Sequence, residues 1–128
     1  MTAWTWPDAE VVRVVDGDTL DMRVTRDMGF GGTASFVVRL RLNRINAPKG
    51  STVSGKAATT YLSSLLPVGA RVPLQTVKPY KYGGPDDSPG EWMAEVTSPA
   101  GANVSDLMVS TFMAVYWDGA GPRPADGI

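Results

Sequence analysis

A chain of 128 residues with a net charge of −1 has room for one core and too little for two. Cysteine and histidine are both absent, which removes disulfide frames, thiolate metal sites, imidazole triads and the usual zinc sites, and leaves carboxylates, lysines, arginines and tyrosines as catalysts. No run approaches the roughly 20 apolar residues of a membrane span, and Met1 to Pro7 lacks the basic flank and apolar core of a signal peptide, so neither membrane association nor export by that route is expected.

Taken in order, residues 1–9 read as an arm or edge extension in which Trp4 and Trp6 alternate before Pro7; these rings either cover one end of the core or dock on a protein partner. The domain proper is expected over residues 10–117. Val11, Val12, Val14 and Val15 are stiff, strand-favouring residues, Asp16-Gly17 is a hairpin signal because glycine tolerates positive φ, and Leu20, Met22 and Val24 resume the alternation. Asp16, Asp18 and Asp21 gather at this turn, either for purely conformational reasons or as oxygen donors to a hard cation such as Ca²⁺. Residues 27–33 are glycine-rich and read as a hairpin connection, without the Lys-Ser or Lys-Thr of a phosphate-binding loop.

Residues 35–45 alternate as a strand, with Val38, Leu40 and Leu42 on one face and Arg39 and Arg41 on the other, about 7 Å apart at roughly 3.3 Å per residue. Pro48 forces Ala47 out of the helical region and ends the pairing. From Ser54 to Leu66 the period becomes helical, with Val53, Ala57, Ala58, Tyr61, Leu62, Leu65 and Leu66 on the apolar face, and Pro67 and Gly69 close the segment. Arg71 to Val77 reads as a strand. Residues 78–90 read as an exposed loop whose Tyr80, Lys81 and Tyr82 are of the kind that stack on bases and hold phosphates. Trp92 to Val96 reads as a short strand. Asn103 sets up a helix start with Asp106 three residues on, and Val104, Leu107, Met108, Thr111 and Phe112 form its expected buried stripe. Ala114 to Trp117 is extended, and residues 118–128 are a Gly- and Pro-rich tail with little to bury. Five short strands with a helix after the third suit an α+β fold built on a small closed barrel of the OB type.

Charge is partitioned along the chain. No acidic residue lies between Met28 and Pro85, where Arg39, Arg41, Arg44, Lys49, Lys56, Arg71, Lys78 and Lys81 are all basic. Such a block either faces phosphate or folds back to pair with the acids at both ends.

Four stretches in order carry a family likeness: Val14-Val-Asp-Gly-Asp-Thr-Leu20, Arg39-Leu-Arg-Leu-Asn-Arg-Ile-Asn-Ala-Pro48, the helix around Tyr61-Leu62, and Lys81-Tyr-Gly83. Together they resemble the staphylococcal nuclease (thermonuclease) family from about Glu10 to Trp117. The ending Tyr116 to Pro124 is similar to that of members encoded by phages of actinobacteria. The resemblance implies a five-stranded OB barrel and a Ca²⁺-dependent phosphodiesterase of DNA and RNA. In that family two aspartates and a backbone carbonyl hold the ion, a glutamate activates water, and two arginines hold the phosphate oxygens as charge develops.

Carried over by position, the resemblance implies Asp18 as the first metal aspartate, Asp16 as the acid behind it, Ala47 as the source of the carbonyl, and Arg41 as the first phosphate clamp. Asn46 stands where the second metal aspartate belongs, Lys49 where the general base belongs, and Glu91 where the second arginine falls if residues 85–89 are an insertion. Losing a positioned base costs about 10²- to 10⁴-fold in rate and losing a charge-stabilising donor about 10²- to 10³-fold. The expectation is a domain with a weakened or absent Ca²⁺ site and impaired catalysis, in which Lys49 takes part of the cation's place between Asp16 and Asp18. Its expected partner is nucleic acid through Arg39, Arg41, Lys49, Tyr80, Lys81 and Tyr82, or a protein through the tryptophan arm or the tail. A working Ca²⁺-dependent nuclease and a phage virion decoration or connector are the alternatives, and host cytoplasm or the phage particle is the expected location.

Overall fold

The computed structural model describes residues 4–81 and 90–117. Within them the order is β1 (Trp4–Asp16), β2 (Thr19–Asp27), β3 (Thr33–Leu42), β4 (Ile45–Asn46), α1 (Val53–Leu65), β5 (Arg71–Lys81), β6 (Glu91–Val96), α2 (Val104–Ser110) and β7 (Val115–Tyr116). Strands β1, β2, β3, β6 and β5 close a five-stranded barrel in that order, with β3 and β6 parallel and the other contacts antiparallel. This is the α+β, OB-like architecture the alternation predicts. No helix among the described residues is long and apolar enough to cross a membrane.

Alternation decides what fills the barrel. Leu20, Met22 and Val24 on β2, Leu40 and Leu42 on β3, Val72 and Leu74 on β5, and Ala94 and Val96 on β6 point inward and are buried. Register shifts in β1 between Val11 and Arg13, Val14 and Asp16, and Trp6 and Ala9 let one long strand pair with β2 along one stretch and β5 along another. From Trp4 the chain is already strand, with Trp4 opposite Thr76 and Trp6 opposite Leu74. Trp6 packs on the core, whereas Trp4 is half exposed with the Arg26 guanidinium 5.1 Å above its ring.

Helix α1 covers part of the barrel through Ala58 and Leu62, and the Thr52 hydroxyl caps it by accepting from the Gly55 N–H at 2.9 Å. Two glycines make the fit possible. A Cβ on Gly17 would lie 2.6 Å from the Ala58 Cβ, and one on Gly55 would run into the Lys49 carbonyl. Gly17 is therefore required for the close approach of α1, and its φ is not positive, contrary to the hairpin expectation. The expected apolar face of α1 is also too wide: Val53 is exposed, as is Ala57, because the helix touches the barrel along one narrow line.

Strand β5 runs on to Lys81, so the loop expected from residue 78 begins later; pairing of Lys78, Pro79 and Lys81 with Met93, Trp92 and Glu91 extends it. Asn103 caps α2 by accepting from the Asp106 N–H at 3.0 Å, as the capping pair predicts. Phe112 does not join the α2 stripe; the helix stops at Ser110 and Phe112 stands out in solvent. Strands β4 and β7 pair beside the barrel, Ile45 opposite Tyr116 and Asn46 opposite Val115.

Candidate functional site

The turn between β1 and β2, the outer face of β3, and the chain after β4 meet at one end of the barrel. Pairing of β2 with β3 sets Thr19 opposite Arg41 and Asp21 opposite Arg39, so both arginines share a face with the acidic turn. Asp18 is buried there. Its main-chain carbonyl accepts from the Leu42 N–H at 2.8 Å, and its carboxylate accepts from the Thr19 hydroxyl at 2.9 Å and the Ala47 N–H at 3.0 Å. The Arg41 Nη2 lies 3.3 Å from Asp18 Oδ2, both side chains about 5% exposed, and donates to Asn46 Oδ1 at 2.9 Å.

Arg41 is thus a buried bridge between Asp18 and Asn46. Aromatic rings flank it: its Cζ is 5.0 Å from the Tyr80 centroid and 5.2 Å from the Trp117 centroid. The Trp117 N–H donates to the Arg44 carbonyl at 2.7 Å, which fixes the chain carrying that ring. The Arg41 Nε is buried without a hydrogen-bond partner, one of two such side-chain atoms among the described residues, the other being Ser105 Oγ. At this end of the barrel a cavity of about 250 Å³ is lined by Asp16, Asp18, Thr19, Arg39, Arg41, Tyr80 and Glu91 among others.

The residues singled out in the sequence fall as follows. Asp16, Asp18, Arg39, Arg41, Tyr80 and Glu91 converge on this cavity, and Asn46 and Ala47 lie behind Asp18. What Ala47 gives Asp18 is its N–H. The Asp16 carboxylate faces the loop after Pro48, its Oδ1 2.9 Å from where a Cβ on Gly50 would sit. Lys49 is exposed in that loop, and its carbonyl accepts from the Thr52 N–H and hydroxyl. The main chain of Lys81 stands opposite Glu91 in β5. Tyr82, the rest of residues 82–89, and residues 118–128, which hold most of the phage-like ending, lie outside the described residues. No group of three His, Cys, Asp or Glu side chains positioned to hold a metal occurs among the described residues.

Asp21 does not join Asp16 and Asp18. Arg39 grips it bidentately, Nε to Oδ1 at 2.9 Å and Nη2 to Oδ2 at 3.2 Å, and Arg13 adds a third contact at 3.1 Å. The hydrogen bond from Arg39 holds the Asp21 carboxyl below its usual range, against burial, and Asp21 in turn raises Arg39. Arg44 is similarly engaged by Glu95 and Asp106, and Arg71 by Asp8. Much of the basic centre therefore folds back on the acids at the two ends; β-pairing sets Arg39 opposite Asp21, whereas Arg44 reaches Glu95 and Asp106 from the turn after β3.

Trp117 is the site residue that sequence reading missed. Its ring meets Arg41 only because β7 pairs with β4, two strands of two residues each that carry almost no periodic signal.

No protein-family model matches the chain. Over 112 residues it is 30% identical to an "Uncharacterized endonuclease" of Escherichia coli O157:H7, a match covering 83% of this chain and 62% of that protein, and equally to one from Escherichia coli. The chain thus spans less than two thirds of the length of the curated relatives it matches. Relatives bearing that name and a closed five-stranded barrel with two helices together support a nuclease-like domain.

Proposed function

We propose that this is a nuclease-like domain of the staphylococcal nuclease type that binds single-stranded nucleic acid through a phosphate at Arg41 and has lost most of its metal-dependent cleavage. The observation that carries the reading is Arg41 itself: a residue in the wall of a cavity, its guanidinium buried near the Tyr80 and Trp117 rings and its Nε unpartnered. An unsatisfied buried donor costs about 1–3 kcal/mol, and a phosphate oxygen is a strong acceptor for it. Tyrosine and tryptophan rings beside a cation suit a strand that presents bases and phosphates alternately.

Impaired cleavage is supported by the donor set. Ca²⁺ takes six to eight oxygens, whereas here both Asp18 oxygens accept from the protein and the Asn46 oxygen accepts from Arg41. These donors fit a divalent cation poorly. Arg41 already supplies positive charge to Asp18, and Lys49 has no acceptor while protonated. Asp16 and Glu91 also line the cavity and repel a phosphate, so binding should be modest and salt-sensitive.

A second reading, residual hydrolysis, is favoured by Glu91, a carboxylate in the wall of the same cavity, and by the name of the relatives. Plasmid digestion with Ca²⁺ and with chelator, using Asp18→Ala as control, separates the two. Little or no cleavage is expected under either condition, and cleavage abolished by chelator and by Asp18→Ala would overturn the proposal.

A further inference from the structure

We infer that Phe112 and the cavity beneath it form a subsite for a nucleobase, next to the phosphate site at Arg41; this rests on the nucleic-acid reading above. Phe112 combines two unfavourable features. It sits at φ 63°, the left-handed region that follows a helix C-cap and ordinarily takes glycine, and it is 91% exposed. The backbone there is held by the helix end: the Phe112 N–H donates to the Val109 carbonyl at 3.0 Å, and the Met113 and Ala114 N–H groups both donate to the Met108 carbonyl. Phe112 thus stands out on a fixed stem, with no core contact to account for its ring.

Beneath it lies a cavity of about 260 Å³ between α1 and the end of α2, lined by Asn46, Pro48, Ser54, Ala57, Phe112 and Met113 among others. That is close to the small end of the roughly 300–1,000 Å³ of ligand pockets, the scale of one ring system. Its walls mix polar and apolar surface, with Asn46 and Ser54 among the polar residues and Pro48, Ala57 and Met113 among the apolar ones. Asn46 links the two sites: it lines this cavity, and its Oδ1 accepts from Arg41, which lines the other. A ligand reaching both sites carries an anion and, beyond Asn46, a flat ring with polar edges. A nucleotide within a strand has that chemistry, whereas a purely apolar partner would make no use of Arg41.

The test is fluorescence anisotropy, with chelator present, of a labelled single strand of about eight nucleotides and an abasic strand of equal length. Phe112→Ala should weaken binding of the normal strand by about 5- to 100-fold and leave the abasic strand unchanged, and Phe112→Trp should restore binding. Phe112→Gly should raise Tm by a few degrees while binding as poorly as Phe112→Ala, because glycine relieves the backbone. If wild type binds neither strand, the nucleic-acid reading fails and this inference with it. If wild type binds and Phe112→Ala matches it, or loses both strands equally, the inference alone falls. A wild-type dimer that Phe112→Ala dissociates without changing strand affinity would likewise overturn it, making the patch a self-association face.

Discussion

Two arginines three residues apart, Arg41 and Arg44, show how the same side chain serves different ends. Arg44 is half-exposed and satisfied on every side: Nε and Nη2 grip Glu95 at 2.8 and 3.0 Å, Nη1 meets Asp106 at 2.9 Å, and Nη2 also reaches Asn103. It ties the corner after β3 to β6 and to the start of α2, and those contacts hold it in a left-handed conformation at φ 70°. Its own ionisation is pushed further up by these carboxylates. Arg41 is nearly inaccessible, has one arm bonded to Asp18 and Asn46, and leaves Nε without a partner. A saturated guanidinium near the surface builds the fold. An unsaturated one, buried between rings at a cavity, is an arrangement that stability alone does not explain.

Breaking this contrast should cost most at Arg41. Arg41→Leu removes the Arg41 charge from the buried Asp18 carboxylate, and a loss of about 3–5 kcal/mol in urea unfolding is expected. Adding Asp18→Asn should recover a large part of that loss. A fully additive double mutant would mean that Asp18 and Arg41 are not coupled.

Next comes the support on which that end of the barrel rests. Gly17→Ala pushes a methyl against Ala58 and Ala47, so α1 must shift at a cost of about 1–3 kcal/mol. Arg44→Ala should cost less, about 0.5–1 kcal/mol, because solvent screens its pair with Glu95 and Asn43 and Asn103 still donate to that carboxylate. It should leave affinity for single-stranded DNA unchanged, whereas Arg41 variants that remain folded should bind less tightly and with a shallower salt dependence. Equal effects of the two arginines on DNA affinity would erase the distinction drawn between them.

The smallest effect is in pH. Burial raises Glu95, but hydrogen bonds from Arg44, Asn103 and Asn43 outweigh it and leave the carboxyl lowered, and the Arg39 hydrogen bond lowers Asp21. A lowered folded-state pKa adds stability that is present above the unfolded value, about 4, and is lost as pH falls through the folded one. Stability should therefore hold down to about pH 4 and then decline, with Glu95→Gln flattening the decline. Because Arg44 and Arg39 are more than a third exposed, solvent screens both pairs and each share should be small.

Much of this molecule is written along its sequence. Alternation of apolar residues fixed the barrel strands, since a period of two sends every other side chain into one core, and Asn103 with Asp106 marked the start of α2 because the cap is a local bond. Asp16 and Asp18 share the turn that the local pattern marks, and it was the family resemblance, not the alternation, that set Arg41 beside them. The sequence did not separate Asp21 from that group; only the pairing of β2 with β3, which sets Asp21 opposite Arg39, does so. Nor did it predict that Arg41 would lie between Tyr80 and Trp117, rings 37 positions apart that meet only in the closed fold. Phe112, apolar and at helical spacing, reads as core until the helix stops two residues short of it and turns it outward. Local periodicity chooses which face of an element is buried, but where an element ends, and what then covers its exposed end, depends on contacts between residues far apart in the chain.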